Sequence, residues 1–188
     1  MNVMPIFGKE TAVMAVKNKT LRIVMLKIFF LCISVIFFAS IGFAQDVNSP
    51  APDFTAKDLN GNSIKLSDLK GKVIILDFWA SWCIPCKKSM PYLIELYDSR
   101  RADSLIVLGI NVDTQLDKIR EFQSAINAEI TFPVFFDNEA KIPPFYNVES
   151  MPTTIVINKE GIIKYKEAGF NTDLKDKLDK TVKDLLAK

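Results

Sequence analysis

The stretch Val73-Ile74-Ile75-Leu76-Asp77-Phe78-Trp79-Ala80-Ser81-Trp82-Cys83-Ile84-Pro85-Cys86 decides both the fold of this chain and its chemistry. Its first half is almost continuously apolar, the pattern of a strand buried on both faces. Its second half ends in a Cys-x-x-Cys pair, followed by Met90, Leu93, Ile94 and Tyr97 at helical spacing. A cysteine at a helix N-terminus meets free N–H groups and the positive end of the macrodipole, which together favour a thiolate. Cys86 lies one turn on, on the same face, within reach of a small disulfide ring. Strand, tight turn, Cys-x-x-Cys and helix together predict thiol–disulfide exchange, in which a thiolate attacks a disulfide and a second thiol resolves the product.

Two other uses of such a pair fit less well. A structural zinc site needs four ligands, and this chain has no histidine and three cysteines, the third being Cys32 in an apolar N-terminal segment. No metal and no organic cofactor is therefore expected. A purely structural cross-link gains little from closing so short a loop.

The 188 residues, 49% hydrophobic and 24% charged, suit one domain with a proper core. The formal net charge is +2, but Lys9, Lys17, Lys19, Arg22 and Lys27 face only Glu10 within residues 1–44, so the remainder is slightly acidic. That balance leaves no footprint for nucleic acid. Residues 1–44 read as a signal peptide, with an N-terminal membrane anchor as the alternative. Basic residues lead into an apolar run at 28–43, and Gly42 and Ala44 supply small residues for cleavage before Gln45. Met14 and Met25 are alternative starts. The bulky Phe29-Phe30-Leu31 before Cys32 makes a poor lipidation signal, so Cys32 reads as a small apolar member of the run. Export places the chain where disulfides persist, and the mature chain would carry only Cys83 and Cys86.

Residues 45–52 read as a linker and 53–188 as the folded domain. Strands are predicted at 53–59 and 64–66 around an Asn60-Gly61 hairpin turn, with a short helical turn at 67–71. A strand at 73–80 leads to a helix from Cys83 to about Arg101, kinked at Pro91. Next come a buried strand at 105–112 and a helix at 117–127 with Ile119, Phe122 and Ile126 on one side. A short strand follows at 132–136, and 138–147 reads as a helix or loop broken by Pro143-Pro144. Strands at 153–158 and 162–168 and a helix at 172–187, burying Leu174, Leu178, Val182 and Leu185, complete the chain. This alternation implies a central sheet covered on both faces.

Asp77 through Lys87 closely resembles the thioredoxin active-site signature. Pro91 falls where thioredoxins kink this helix, and Met151-Pro152-Thr153-Thr154 resembles their cis-proline loop. Residues 60–72 and the insert at 113–146 resemble the TlpA/ResA-like branch of exported thiol–disulfide oxidoreductases. The resemblance spans about residues 50–187. It implies an α/β thioredoxin fold, a central mixed β-sheet flanked by helices with an N-terminal β-hairpin and an inserted helix–strand unit.

The resemblance also implies roles. Cys83 would be the exposed nucleophile, Cys86 the buried resolving thiol, and Trp82 a shield over the pair. Asp77 would be a buried carboxylate that takes the Cys86 proton, its pKa raised by burial. The alternative for Asp77 is a strand-edge carboxylate facing solvent. Pro152 would be cis and, with Met151, would leave neighbouring backbone free to pair with a substrate chain. The alternative is a trans proline at a strand start. Ile84-Pro85 differs from the Gly-Pro of general thioredoxins and the Glu-Pro of some exported reductases, and apolar Ile84 would favour apolar peptide segments. The expected activity is reduction of disulfides in periplasmic or cell-envelope proteins, in cytochrome c maturation or in rescue of wrongly paired cysteines. A membrane thiol transporter would donate the electrons. The alternatives are a disulfide-forming oxidant, a non-enzymatic binding module, and a peroxiredoxin-like thiol peroxidase. For the last, the position of the peroxidatic threonine holds Ala80, with no arginine adjacent.

Overall fold

The computed structural model describes residues 47–188. The expected signal peptide or anchor at 1–44, Cys32, and the cleavage point before Gln45 lie outside the described residues. Among the described residues no helix is long and apolar enough to cross a membrane.

The elements run β1 (Thr55–Lys57), β2 (Ser63–Lys65), β3 (Val73–Trp79), α1 (Ile84–Arg100), β4 (Leu105–Asn111), α2 (Asp117–Ile126), β5 (Val134–Phe136), β6 (Thr153–Ile157), β7 (Ile163–Ala168) and α3 (Thr172–Leu186). β1 and β2 form a small hairpin, and the other strands form one sheet in the order β5-β4-β3-β6-β7. β3, β4 and β5 are parallel, whereas β6 and β7 are antiparallel to their neighbours. This is the expected mixed sheet, with the hairpin in front and α2–β5 as the inserted unit.

β3 sits at the centre with all seven residues buried, as its unbroken apolar run demands. Strand side chains alternate between faces. Val73, Ile75 and Trp79 therefore join Cys83, Cys86, Met90, Leu93, Phe122, Leu178 and Val182 in one cluster, under the three helices. Ile74, Leu76 and Phe78 join Phe54, Leu66, Ile142 and Tyr146 in a second. No residue of α1, α2 or α3 enters that second cluster, because the N-terminal hairpin and the turn at Pro143–Tyr146 cover this face instead. Tyr146 fixes the cover: its hydroxyl donates to the Pro52 carbonyl at 2.6 Å, and Phe54 meets it edge-on at 6.2 Å. Each large apolar side chain buried this way contributes about 1.5–3 kcal/mol.

Several boundaries differ from expectation. The described part of the linker is pinned to the sheet. Asn48 N–H donates to the Ile163 carbonyl, Ile163 N–H to that of Ser49, and Ala51 N–H to that of Gly161. The hairpin does not turn on Asn60-Gly61 alone. Only Gly61 has positive φ, +85°, and Asp58 and Asn62 close a three-residue loop, the Asp58 carboxylate accepting the N–H groups of Asn60 and Asn62. The preceding strand shortens to β1, and Asp58 bridges instead to Phe135. Leu66 leaves β2 and opens a 3-10 turn, and Pro143–Tyr146 forms another where a helix or loop was expected. α1 contains Pro91, the residue at which the kink is expected. In α3 the buried residues are Leu178, Val182 and Leu185, whereas Leu174 in the first turn is only half-buried.

Candidate active site

β3 ends at Trp79, and Ala80-Ser81-Trp82 carries the chain to α1. Cys83 is the N-cap residue of α1, with extended backbone, and Pro85 falls in the first turn, where its missing N–H costs nothing. Cys83 and Cys86 form a disulfide with their Cα atoms 5.3 Å apart. The Cys83 sulfur accepts the Cys86 N–H at 3.1 Å, so one sulfur both caps the helix and closes the ring. Cys83 was expected to be exposed. It is only 3% exposed, and Cys86 is fully buried, because the disulfide and the cap bond turn the Cys83 sulfur into the first helical turn. The exposed groups are its neighbours Trp82, at 68%, and Ile84, at 72%, with Pro85 also exposed.

Three further features converge on this end of the sheet. Phe78 pairs with Thr153 of β6, which brings Met151-Pro152 to the end of β3 from which the cysteine turn departs. The Met151–Pro152 bond is cis; Pro152 is buried and Met151 half-buried. The Pro152 carbonyl accepts the Gly169 N–H at 2.7 Å, and the Thr153 hydroxyl donates to the Ser150 carbonyl at 2.7 Å. Asp77 lies on the helix-covered face of β3, two residues before Trp79, and is fully buried rather than facing solvent. Burial without a counter-ion pushes its carboxyl pKa up to about 7, against the small opposing effect of a hydrogen bond from Thr154 at 3.2 Å. Among the described residues, the other carboxyl oxygen of Asp77 has no hydrogen-bond partner, and neither has the buried Trp79 indole N–H.

A second buried carboxylate escaped the sequence reading. Asp113, 3% exposed, accepts the Ser81 N–H and the Ser81 hydroxyl, each at 2.9 Å, and the Asn111 amide at 2.8 Å. These bonds clamp the turn before Cys83 onto the end of β4. Asn111 and Asp113 alternate just past an apolar strand run, which was the available signal. A groove of about 490 Å³, bounded by Trp82, Lys87, Asp113, Gln115, Lys118 and Phe122, runs beside that turn. Thr154 was also missed, as the second threonine after the proline in a run that otherwise reads as core.

Comparison with known proteins places the geometry in a family. The AhpC/TSA family model matches residues 47–166. The thiol-disulfide oxidoreductase ResA of Bacillus cereus is 36% identical over 162 residues, spanning 83% of this chain and 91% of the relative. ResA of Geobacillus kaustophilus is 38% identical over 121 residues, 64% of this chain and 68% of the relative. A solved Chlorobium tepidum chain of the DsbE thiol:disulfide interchange type superposes with a TM-score of 0.69 at 34% identity, covering 75% of this chain and 98% of that one.

Proposed function

Since this chain belongs to the AhpC/TSA family and is a thiol–disulfide oxidoreductase of the thioredoxin fold, we propose that it works as a reductase of disulfides in exported proteins. The observation that carries the proposal is the disulfide itself: a Cys83–Cys86 pair capping α1, beside exposed Trp82 and Ile84 and a buried carboxyl on the adjoining strand. In the reduced protein the Cys83 thiolate, favoured by the helix N-terminus, attacks one sulfur of a substrate disulfide and expels the other as a thiolate, which takes a proton from solvent. Asp77 then takes the proton of the Cys86 thiol. The Cys86 sulfur attacks that of Cys83, the bond from Cys83 to substrate breaks, and the second substrate thiol leaves with a proton from solvent. Two electrons pass from the dithiol to the substrate, and the enzyme returns to the disulfide form. Trp82, Ile84 and Pro85, exposed beside the pair, form the surface that meets the substrate chain, with the half-buried Met151 and the buried Pro152 at the same end of the sheet.

The basic stretch followed by the apolar run at 28–43 supports delivery beyond the cytoplasmic membrane. There the substrates are envelope proteins with wrongly paired cysteines or apocytochromes awaiting haem, and a membrane thiol transporter restores the dithiol. Cys86→Ser tests the scheme, because it removes the resolving thiol. The variant should accumulate mixed disulfides with envelope proteins, visible on non-reducing gels and lost when Cys83 is also replaced. A Cys86→Ser protein that forms no such adducts contradicts it.

A further inference from the structure

Thr154 contacts neither cysteine in the hydrogen-bond network, yet we infer that its hydroxyl orients the Asp77 carboxyl for proton uptake, which makes Thr154 a positioning residue for the resolving step. The inference rests on Asp77 being the proton acceptor for Cys86. The two residues are register partners across the β3–β6 ladder. Thr154 Oγ1 donates to Asp77 Oδ1 at 3.2 Å, and both residues are buried. On the other side of β3 the register partner of Asp77 is Gly109, which offers no side chain.

A hydroxyl that donates to Oδ1 makes that oxygen an acceptor. With Thr154 as the donor to Oδ1, the proton of the neutral acid is placed on Oδ2, the carboxyl oxygen with no hydrogen-bond partner among the described residues. Thr154 thus selects which oxygen gives and takes the proton, and it does not occupy that oxygen with a hydrogen bond. Packing alone would be served by valine, since β6 continues as Ile155, Val156 and Ile157, all fully buried. A threonine there adds a polar group that burial penalises unless it is bonded. Among the described residues no charged side chain contributes to the pKa of Asp77, which is set by burial upward and by Thr154 downward. In the cluster on this face, α1 brings Cys83, Cys86, Met90 and Leu93, α3 brings Leu178 and Val182, and β7 brings Tyr165, with Tyr92 and Tyr97 of α1 at its edge. Among the described residues, Thr154 is then the one polar side chain that adjusts the carboxyl. By bonding the charged form it lowers the pH at which Asp77 accepts a proton.

The test follows the resolving step alone. Reduced protein reacts with 5,5′-dithiobis(2-nitrobenzoate); a first nitrothiobenzoate leaves when Cys83 attacks and a second when Cys86 displaces it. Second-phase rates are recorded by stopped flow from pH 5 to 9 for wild type, Thr154→Val, Thr154→Ser and Asp77→Asn. Wild type should show an inflection near neutrality that Asp77→Asn abolishes. In Thr154→Val the inflection should move up by about one unit, a roughly tenfold slower second phase at pH 6, and Thr154→Ser should restore it. An unmoved inflection in Thr154→Val, with Asp77→Asn still abolishing it, overturns the role of Thr154 alone. An inflection that persists in Asp77→Asn overturns the role of Asp77 and the inference with it. The carboxyl carbon shift of Asp77, titrated by NMR in the oxidised Thr154→Val and Thr154→Ala proteins, gives the same midpoint without turnover and decides the matter should valine disturb β6.

Discussion

At the scale of single residues, the buried Asp77 carboxyl couples stability to pH. Its folded pKa of about 7 lies well above the ordinary carboxylate value of 3.8. The unfolded chain therefore ionises first as pH rises. Asp77 is neutral in both states below about pH 4, and the fold loses stability between about pH 4 and pH 7, by roughly 4 kcal/mol in total. Asp77→Asn should remove that slope: urea titrations of the oxidised protein should find the variant more stable than wild type at pH 8 and without advantage at pH 4. A difference that does not change with pH would refute the buried, neutral carboxyl. Asp77 was legible in the sequence because a lone carboxylate inside an apolar run has few exposed places to go. Thr154 was not, because its meaning depends on the register between strands 77 residues apart. The burial of Cys83 was likewise hidden. Trp82 and Ile84 beside it are exposed, and only the ring closed with Cys86 turns the sulfur inward.

Among the elements, β4 shows how tightly the sheet behind the site is fitted. A Cβ added at Gly109 would lie 3.1 Å from both the Phe132 ring and the Trp79 indole nitrogen. Gly109→Ala should thus force Trp79 or Phe132 to shift and destabilise the protein by about 1–3 kcal/mol, read as a lower urea midpoint with an unchanged slope. An unchanged midpoint would mean that this packing yields freely. Trp79 also packs on Phe122 of α2, with ring centroids 4.6 Å apart, so the inserted unit and the cysteine-bearing turn meet on one side chain. The long elements were readable from apolar periodicity: β3, α1, β4 and α3 stand within a few residues of expectation. The hairpin loop and the tethered segment at 48–51 were not, because each is fixed by hydrogen bonds to residues distant in sequence or by an aspartate side chain folding back on its own loop. Polar composition reads as a linker whether or not a strand edge lies nearby to accept it.

Across the whole molecule, one sheet separates two jobs. Its helix-covered face holds the disulfide, Asp77 and Thr154, while the opposite face is sealed by the N-terminal hairpin and Tyr146. The cysteine turn, the cis-proline loop and the Asp113 clamp meet at one end of the sheet, with Trp82 and Ile84 exposed beside a buried disulfide. Such a site exchanges disulfides in either direction, and the potential of the pair decides which. The decisive measurement is the equilibrium reduction potential of the Cys83–Cys86 disulfide, titrated in dithiothreitol buffers. A value at or below about −270 mV, in the thioredoxin range, is the result expected of a reductase supplied with electrons across the membrane. A value near −120 mV, roughly that of DsbA, would contradict the account and make the protein an oxidant that forms disulfides.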